Sequence, residues 1–206
     1  MSSKFYAVRN GRVPGIYTTW DDCKLQVSGF SGASYKSFSN RADAEAFLNP
    51  PNHTQVFNKS NALTVYVDGS FSEQKRAYSF GAVILEDSQV KEVSKGFPYI
   101  SDDPLDAYPL RNVAGEIMGA SFAIQYAVTN GYAGLHIFHD YEGIAKWCTG
   151  EWRATKSLTQ AYRELYLEAS SKVQIQFTKV AAHTGDRYNE LADTLAKSAL
   201  QNMSTN

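Results

Sequence analysis

Between Leu63 and Phe97 the chain repeats one kind of segment three times. "LTVYVDGSF", "SFGAVILE" and "QVKEVSKGF" are each a strand long and rich in β-branched or aromatic residues. Few residues separate them, and the last two meet at a turn through Asp87-Ser88. Strands joined this tightly pair antiparallel, because a parallel return needs a crossover of about a dozen residues or more. Three in succession therefore dictate an antiparallel meander, and such a sheet must be covered by something else.

The rest of the chain supplies the cover. "FPYISDDPLDAYPLRN" is acidic and proline-rich and reads as a loop. "NVAGEIMGASFAIQYAVTNG" reads as a helix, with Val113, Ile117, Ala120, Ile124, Ala127 and Val128 in one stripe and Gly131 as its stop. "GLHIFHD" is a strand, "YEGIAKWCTG" and "TQAYRELYLEAS" are helices, "KVQIQFTKVAAH" is a strand and "YNELADTLAKSALQ" is the last helix. The order βββ–α–β–α–α–β–α describes an α/β mixed sheet with helices on its faces.

A smaller module precedes it. "KFYAV" and "GIYTTW" read as strands joined through Asn10-Gly11, and "ASYKSF" reads as a third. Thr19 can cap a helix with Asp22 as its partner, placing Cys23 and Val27 on one face. Ser39 or Asn40 opens "RADAEAFL", with Ala42, Ala46 and Phe47 on one face. So short a module can bury little core and should be only marginally stable. Residues 50–61 are polar, begin with two prolines and read as a linker. The division is a small domain at 1–49, a linker at 50–61 and a larger domain at 62–206.

Charge follows that division. Residues 1–49 hold six basic and four acidic side chains, whereas residues 61–206 hold thirteen and seventeen. The excess of positive charge in the first module suits a polyanionic partner. No apolar run approaches the roughly 20 residues that span a bilayer. "MSSKFYAV" has no signal-peptide core, and Cys23 and Cys148 are far apart and match no metal spacing. An intracellular protein in a reducing compartment is expected.

Four acids stand where a core should close. Asp68 and Asp140 end apolar strands, Glu116 borders the stripe of its helix, and Asp193 is flanked by Ala192 and Leu195. An acid at a strand end can simply cap a turn. Carboxylates that converge instead raise one another's pKa, and a hard divalent cation relieves the repulsion. Spacing alone does not decide between these.

"VDGSF", "NVAGEI", "FHDYEGIAKW" and "AHTGDRYNELADTLAK" resemble, in this order, the motifs of the cellular ribonuclease H1 family. "FYAVRNGRVPGIYTTWDDCKLQVSGFSGASYKSF" is similar to that family's hybrid-binding domain. The resemblance implies a ribonuclease H fold with a five-stranded mixed sheet, preceded by a small α/β hybrid-binding domain. It implies hydrolysis of the RNA strand of RNA–DNA hybrids, leaving 5′-phosphate and 3′-hydroxyl ends. It assigns Asp68, Glu116, Asp140 and Asp193 to two Mg²⁺ ions, or Mn²⁺, about 4 Å apart. His183 would assist proton transfer or product release. Gly69, Ser70 and Asn112 would meet the RNA 2′-hydroxyl, and Arg111 and Thr155 a DNA phosphate. Tyr6, Trp20, Tyr35 and Lys36 would contact the hybrid, with double-stranded RNA as a second partner of the first domain.

The same resemblance implies a monomer without membrane attachment, cytoplasmic, or nuclear or mitochondrial in a eukaryote. Val113 and Ser37 depart from the family pattern, where Gln and a second Lys are common. The segment "CTGEWRATKSLTQAYRE" lacks the basic protrusion of some relatives. His136 and His139 read as structural and Glu142 as solvated. Two rival functions remain at this point: a non-cleaving hybrid-binding protein, and a structure-selective DNA nuclease on the same fold.

Overall fold

The structure is a computed structural model that describes residues 4–48, 61–86, 89–181 and 185–203. The linker expected at 50–61, except Asn61, lies outside these residues, as do the Asp87-Ser88 turn and His183. The described chain forms two units.

The first unit is a three-stranded antiparallel sheet in the order β2-β1-β3, with β1 at Phe5–Asn10, β2 at Gly15–Tyr17 and β3 at Ser34–Phe38. Helices α1 (Trp20–Val27) and α2 (Arg41–Leu48) complete it. Strand alternation sorts its small core into two layers. Val8 packs with Cys23 and Val27 of α1, and Ala7 packs with Ala44 and Phe47 of α2.

The capping expectation for α1 holds: Thr19 Oγ1 accepts from the Asp22 N–H at 3.2 Å. Asn40 caps α2, since its Oδ1 accepts from the Asp43 N–H at 2.8 Å. The apolar face of α2 differs from the sequence reading. Ala42 is exposed, Ala46 is half-buried, and Ala44 with Phe47 faces the sheet. The cap at Asn40 leaves Ala42 in the first turn, so the inward pair falls at 44 and 47, three apart. "GIYTTW" also ends sooner as a strand than expected, and Trp20 is the first residue of α1.

The second unit holds a five-stranded mixed sheet in the order β6-β5-β4-β7-β8. Its strands are β4 (Ala62–Ser72), β5 (Ala77–Glu86), β6 (Gln89–Pro98), β7 (Gly134–His139) and β8 (Gln174–Lys179). The first three form the expected antiparallel meander, while β7 runs parallel to β4 and β8 parallel to β7. Helices α3 (Asn112–Thr129), α4 (Gly143–Cys148) and α5 (Ser157–Ala169) bury their apolar sides in one core with Val65, Val67, Leu135 and Ile137. Helix α6 (Arg187–Gln201) packs on the other face, where Tyr66, Val83 and Ala192 form a separate cluster. Among the described residues no helix is long and apolar enough to cross a membrane.

Candidate active site

The parallel pairing of β4 with β7 sets the site. Tyr66 lies opposite Phe138 at the end of that ladder. Two residues further along each strand direction stand Asp68 and Asp140, so the register brings both acids level at one end of the sheet. Asp140 follows the last residue of β7 rather than ending the strand itself.

Glu116 comes from the first turns of α3, which approaches β4 unusually closely. A Cβ on Gly69 would stand 2.2 Å from the Asn112 carbonyl and 2.4 Å from the Glu116 nitrogen. A Cβ on Gly115 would stand 2.0 Å from the Ser79 carbonyl. Only two glycines without side chains let this helix settle backbone to backbone on the sheet. The same device seats α6, where a Cβ on Gly81 would stand 2.0 Å from the Ala192 carbonyl.

Asp68, Glu116 and Asp140 each offer an oxygen, and the three lie within 4.8 Å of one another. Asp68 and Glu116 are buried, only 7% and 2% exposed. The Asp68 Oδ1 accepts from the Gly69 N–H at 2.6 Å. Glu116 accepts from the Tyr141 N–H, while its Oε2 has no hydrogen-bond partner among the described residues. Burial, reinforced by Asp140, pushes the Asp68 carboxyl up to about 7. Burial, then Asp140 and Asp68, pushes Glu116 up to about 9. Burial sets both shifts, and at Asp68 neither the Gly69 N–H nor the charge of Lys197 offsets it.

The fourth expected acid stands apart. Asp193 is not one of the three within 4.8 Å, and its Oδ2 accepts from Lys197 Nζ at 2.7 Å one helical turn on. It still raises the Asp68 pKa through space. The triad fits a hard divalent cation: all donors are carboxylate oxygens, they are held close, and one is buried without a donor.

The remaining expected residues surround this cluster unevenly. Gly69 and Ser70 continue β4 directly from Asp68, and the Asn112 carbonyl lies against Gly69. Arg111 precedes α3 in a left-handed conformation, φ 54, with its guanidinium 5.6 Å from the Phe71 ring centre. Thr155 is exposed on the loop before α5, a different segment from Arg111. Glu142, expected to be solvated, is half-buried and ion-paired with Lys146 and Lys179.

His136 bonds Thr178 at 2.7 Å. His139 is 1% exposed, and its Nδ1 bonds the Tyr141 carbonyl at 2.9 Å. Its Nε2 has no partner among the described residues. Sequence reasoning missed the glycine seats at 81 and 115, Lys197 and the Tyr141 N–H.

In the first unit Trp20 lies between Tyr6 and Tyr35, with ring centres 5.7 and 5.9 Å apart. Trp20 and Tyr35 are 42% and 46% exposed, so neither is core. Lys36 does not join them. It neighbours Tyr35 on a strand, so its side chain leaves from the opposite face, where Nζ lies 5.7 Å from the Phe38 ring centre.

Two known families match this architecture. The RNase H family matches residues 60–201, and the Ribonuclease H1 N-terminal domain matches residues 4–48. The chain belongs to the RNase H family. Among its RNase H relatives, human Ribonuclease H1 is 25% identical over 252 aligned positions that cover 94% of this chain and 88% of the relative. Ribonuclease H of Saccharomyces cerevisiae is 45% identical over 74 residues, 36% of this chain and 21% of the relative. Ribonuclease H of Crithidia fasciculata is 34% identical over 127 residues, 62% of this chain and 24% of the relative. The match thus spans about a fifth to a quarter of the length of the yeast and Crithidia relatives.

Two solved structures share the RNase H fold. RNase H1 of Halobacterium salinarum aligns with TM-score 0.56 at 20% identity, covering 69% of this chain and 99% of that one. LC11-RNase H1 in complex with RNA/DNA hybrid aligns with TM-score 0.51 at 14% identity, covering 67% and 99%.

Proposed function

We propose that the protein is an endoribonuclease that hydrolyses the RNA strand of RNA–DNA hybrids, leaving 5′-phosphate and 3′-hydroxyl ends. The observation that carries this reading is the buried triad of Asp68, Glu116 and Asp140 in a member of the RNase H family. A relative of the same fold was solved in complex with RNA/DNA hybrid, which supports the choice of substrate. Asp68, Glu116, Asp140 and Asp193 are the residues that would hold two Mg²⁺ or Mn²⁺ ions. Bound there, the ions would neutralise charge on the scissile phosphate and promote ionisation of the attacking water.

The chain's own part is to supply charge and position. With an ion bound, Asp68 and Glu116 would be ionised as its oxygen ligands, and Asp193 would turn from Lys197 toward the site. Gly69, Ser70 and Asn112 border the triad and read the 2′-hydroxyl, the one local feature that separates RNA from DNA. Arg111 and Thr155 hold a DNA phosphate, and His183 assists proton transfer or product release. Tyr6, Trp20 and Tyr35 contact the hybrid through one surface, which also takes double-stranded RNA, and Lys36 meets the hybrid from the other face of its strand. The protein acts as an intracellular monomer; both cysteines are buried free thiols, which suits a reducing compartment.

The test is strand-labelled RNA–DNA hybrid beside DNA and RNA duplexes, with Mg²⁺ and with chelator. Cleavage of the RNA strand of the hybrid, only with metal, is expected. Binding without cleavage would make the chain a hybrid-binding protein, and preferential cutting of DNA would make it a DNA nuclease; either result rejects the proposal.

A further inference from the structure

His139 holds more of the site than a core residue needs to. The Tyr141 carbonyl can only accept, so His139 Nδ1 carries the proton and donates to it at 2.9 Å. The same carbonyl accepts from the Ile144 N–H at 3.2 Å, the first turn of α4. The His139 carbonyl in turn accepts from the Val180 N–H at 2.8 Å, tying the turn to the end of β8. Asp140 is therefore the residue between two anchored peptide groups. The peptide that follows it donates its N–H, that of Tyr141, to Glu116.

Packing alone does not account for an imidazole here. The ring is 1% exposed and stands edge-on to Phe177, with ring centres 6.0 Å apart. Among the described residues Nε2 has no partner, so an apolar side chain would fill this space as well as the imidazole does. What the imidazole adds over an apolar residue is one directed donor, aimed at the turn that carries Asp140 and the N–H from which Glu116 accepts.

We infer that His139 is a positioning residue for the carboxylate site, fixing the Asp140–Tyr141 turn and through it the orientation of Asp140 and the N–H that holds Glu116. This rests on the reading of the triad as a divalent-cation site. His139 touches neither an ion nor a substrate; it acts through the turn, as partners behind metal ligands do.

The test is Mn²⁺ titration by calorimetry on the full chain, with metal-free melting curves for each variant. His139→Asn keeps a donor at about the place of Nδ1. His139→Gln moves the donor one bond outward, and His139→Phe removes it while keeping an aromatic ring. Mn²⁺ affinity should fall ~10–100-fold in His139→Phe and His139→Gln and stay within about threefold in His139→Asn. His139→Phe should melt at or above the wild type without metal. Unchanged Mn²⁺ affinity in His139→Phe would overturn the inference. So would failure of His139→Asn to retain affinity, or a fall in melting temperature that tracks affinity across all three variants. Absence of Mn²⁺ binding by the wild type would overturn it together with the reading it rests on, whereas normal wild-type binding with an unaffected His139→Phe overturns it alone.

Discussion

The two units carry their candidate contact residues in opposite ways. In the first, Trp20 and Tyr35 stand outside the core, while Val8, Cys23, Val27, Ala7, Ala44 and Phe47 hold the fold. In the second, Asp68 and Glu116 are buried at the edge of a large core built from β4, β5, β7, α3 and α5. A small module has little stability to spend, so its contact surface is laid over a core that does not depend on it. The larger unit can keep acids in a poorly solvated place, where each opposes the charge of the others. Surface substitution in the first unit should therefore change binding and leave stability alone. Substitution in the triad should change activity and stability in opposite directions.

The largest effect is expected at Asp68. Asp68→Asn removes one charge from the centre of the triad and should lower hybrid cleavage by at least ~10³-fold, with hybrid binding retained. It should melt at a higher temperature than wild type without metal, because it removes a carboxyl that burial and Asp140 disfavour as an anion. Near-normal cleavage, or a lower melting point, would break the contrast between the units.

A smaller effect is expected from Trp20→Ala. Loss of one stacking ring costs about 1–3 kcal/mol of nucleic-acid binding, or roughly five- to hundredfold in Kd. Its melting curve should stay within about 4 °C of wild type, since mutations at exposed sites stay within roughly ±0.5 kcal/mol. If Trp20→Ala unfolds the first unit instead, the ring belongs to the core after all. Deleting residues 1–60 should raise the apparent KM for hybrid roughly tenfold through lost phosphate and stacking contacts, with kcat changed far less. Equal KM values for the deletion and the full chain would leave the first unit without a role in hybrid capture.

How much of this was legible in the sequence differs between the units for physical reasons. The βββ–α–β–α–α–β–α order was readable because period-2 and period-3.6 patterns are local. The apolar runs that lead to Asp68 and Asp140 were readable for the same reason, but neither acid ends its strand: β4 runs on past Asp68 to Ser72, and β7 stops at His139. Their meeting was not, since it depends on the parallel register of Tyr66 with Phe138, residues far apart in the chain. Gly69 and Gly115 gave no sign of their packing role, because a close helix approach is a property of two partners and not of either sequence.

Local logic also misplaced two details. The inward face of α2 moved once Asn40 became the cap, and Lys36 is separated from Tyr35 by the pleat although the two are adjacent. Asp193 looked equivalent to the other acids, flanked as it is by apolar residues, yet Lys197 one turn on holds it. His139 read as structural, and the structure buries it, but its bond to the Tyr141 carbonyl appears only when the turn is closed.

The central claim is that the triad is held at a cost that a divalent cation relieves, and its pH dependence tests that most directly. Unfolded carboxyls ionise near 4 to 4.5, whereas folded Asp68 and Glu116 keep their protons to about 7 and about 9. Between those values the folded chain binds more protons than the unfolded chain, so stability must fall as pH rises. The measurement is the melting temperature from pH 5 to pH 9, with and without Mg²⁺, for wild type and Glu116→Gln. Without metal the wild type should lose stability steadily across this range, and Mg²⁺ should restore most of it at the alkaline end. Glu116→Gln should lose the fall above pH 7 and gain much less from Mg²⁺. A metal-free wild type whose stability rises or stays level with pH, and which Mg²⁺ does not affect, would contradict the account.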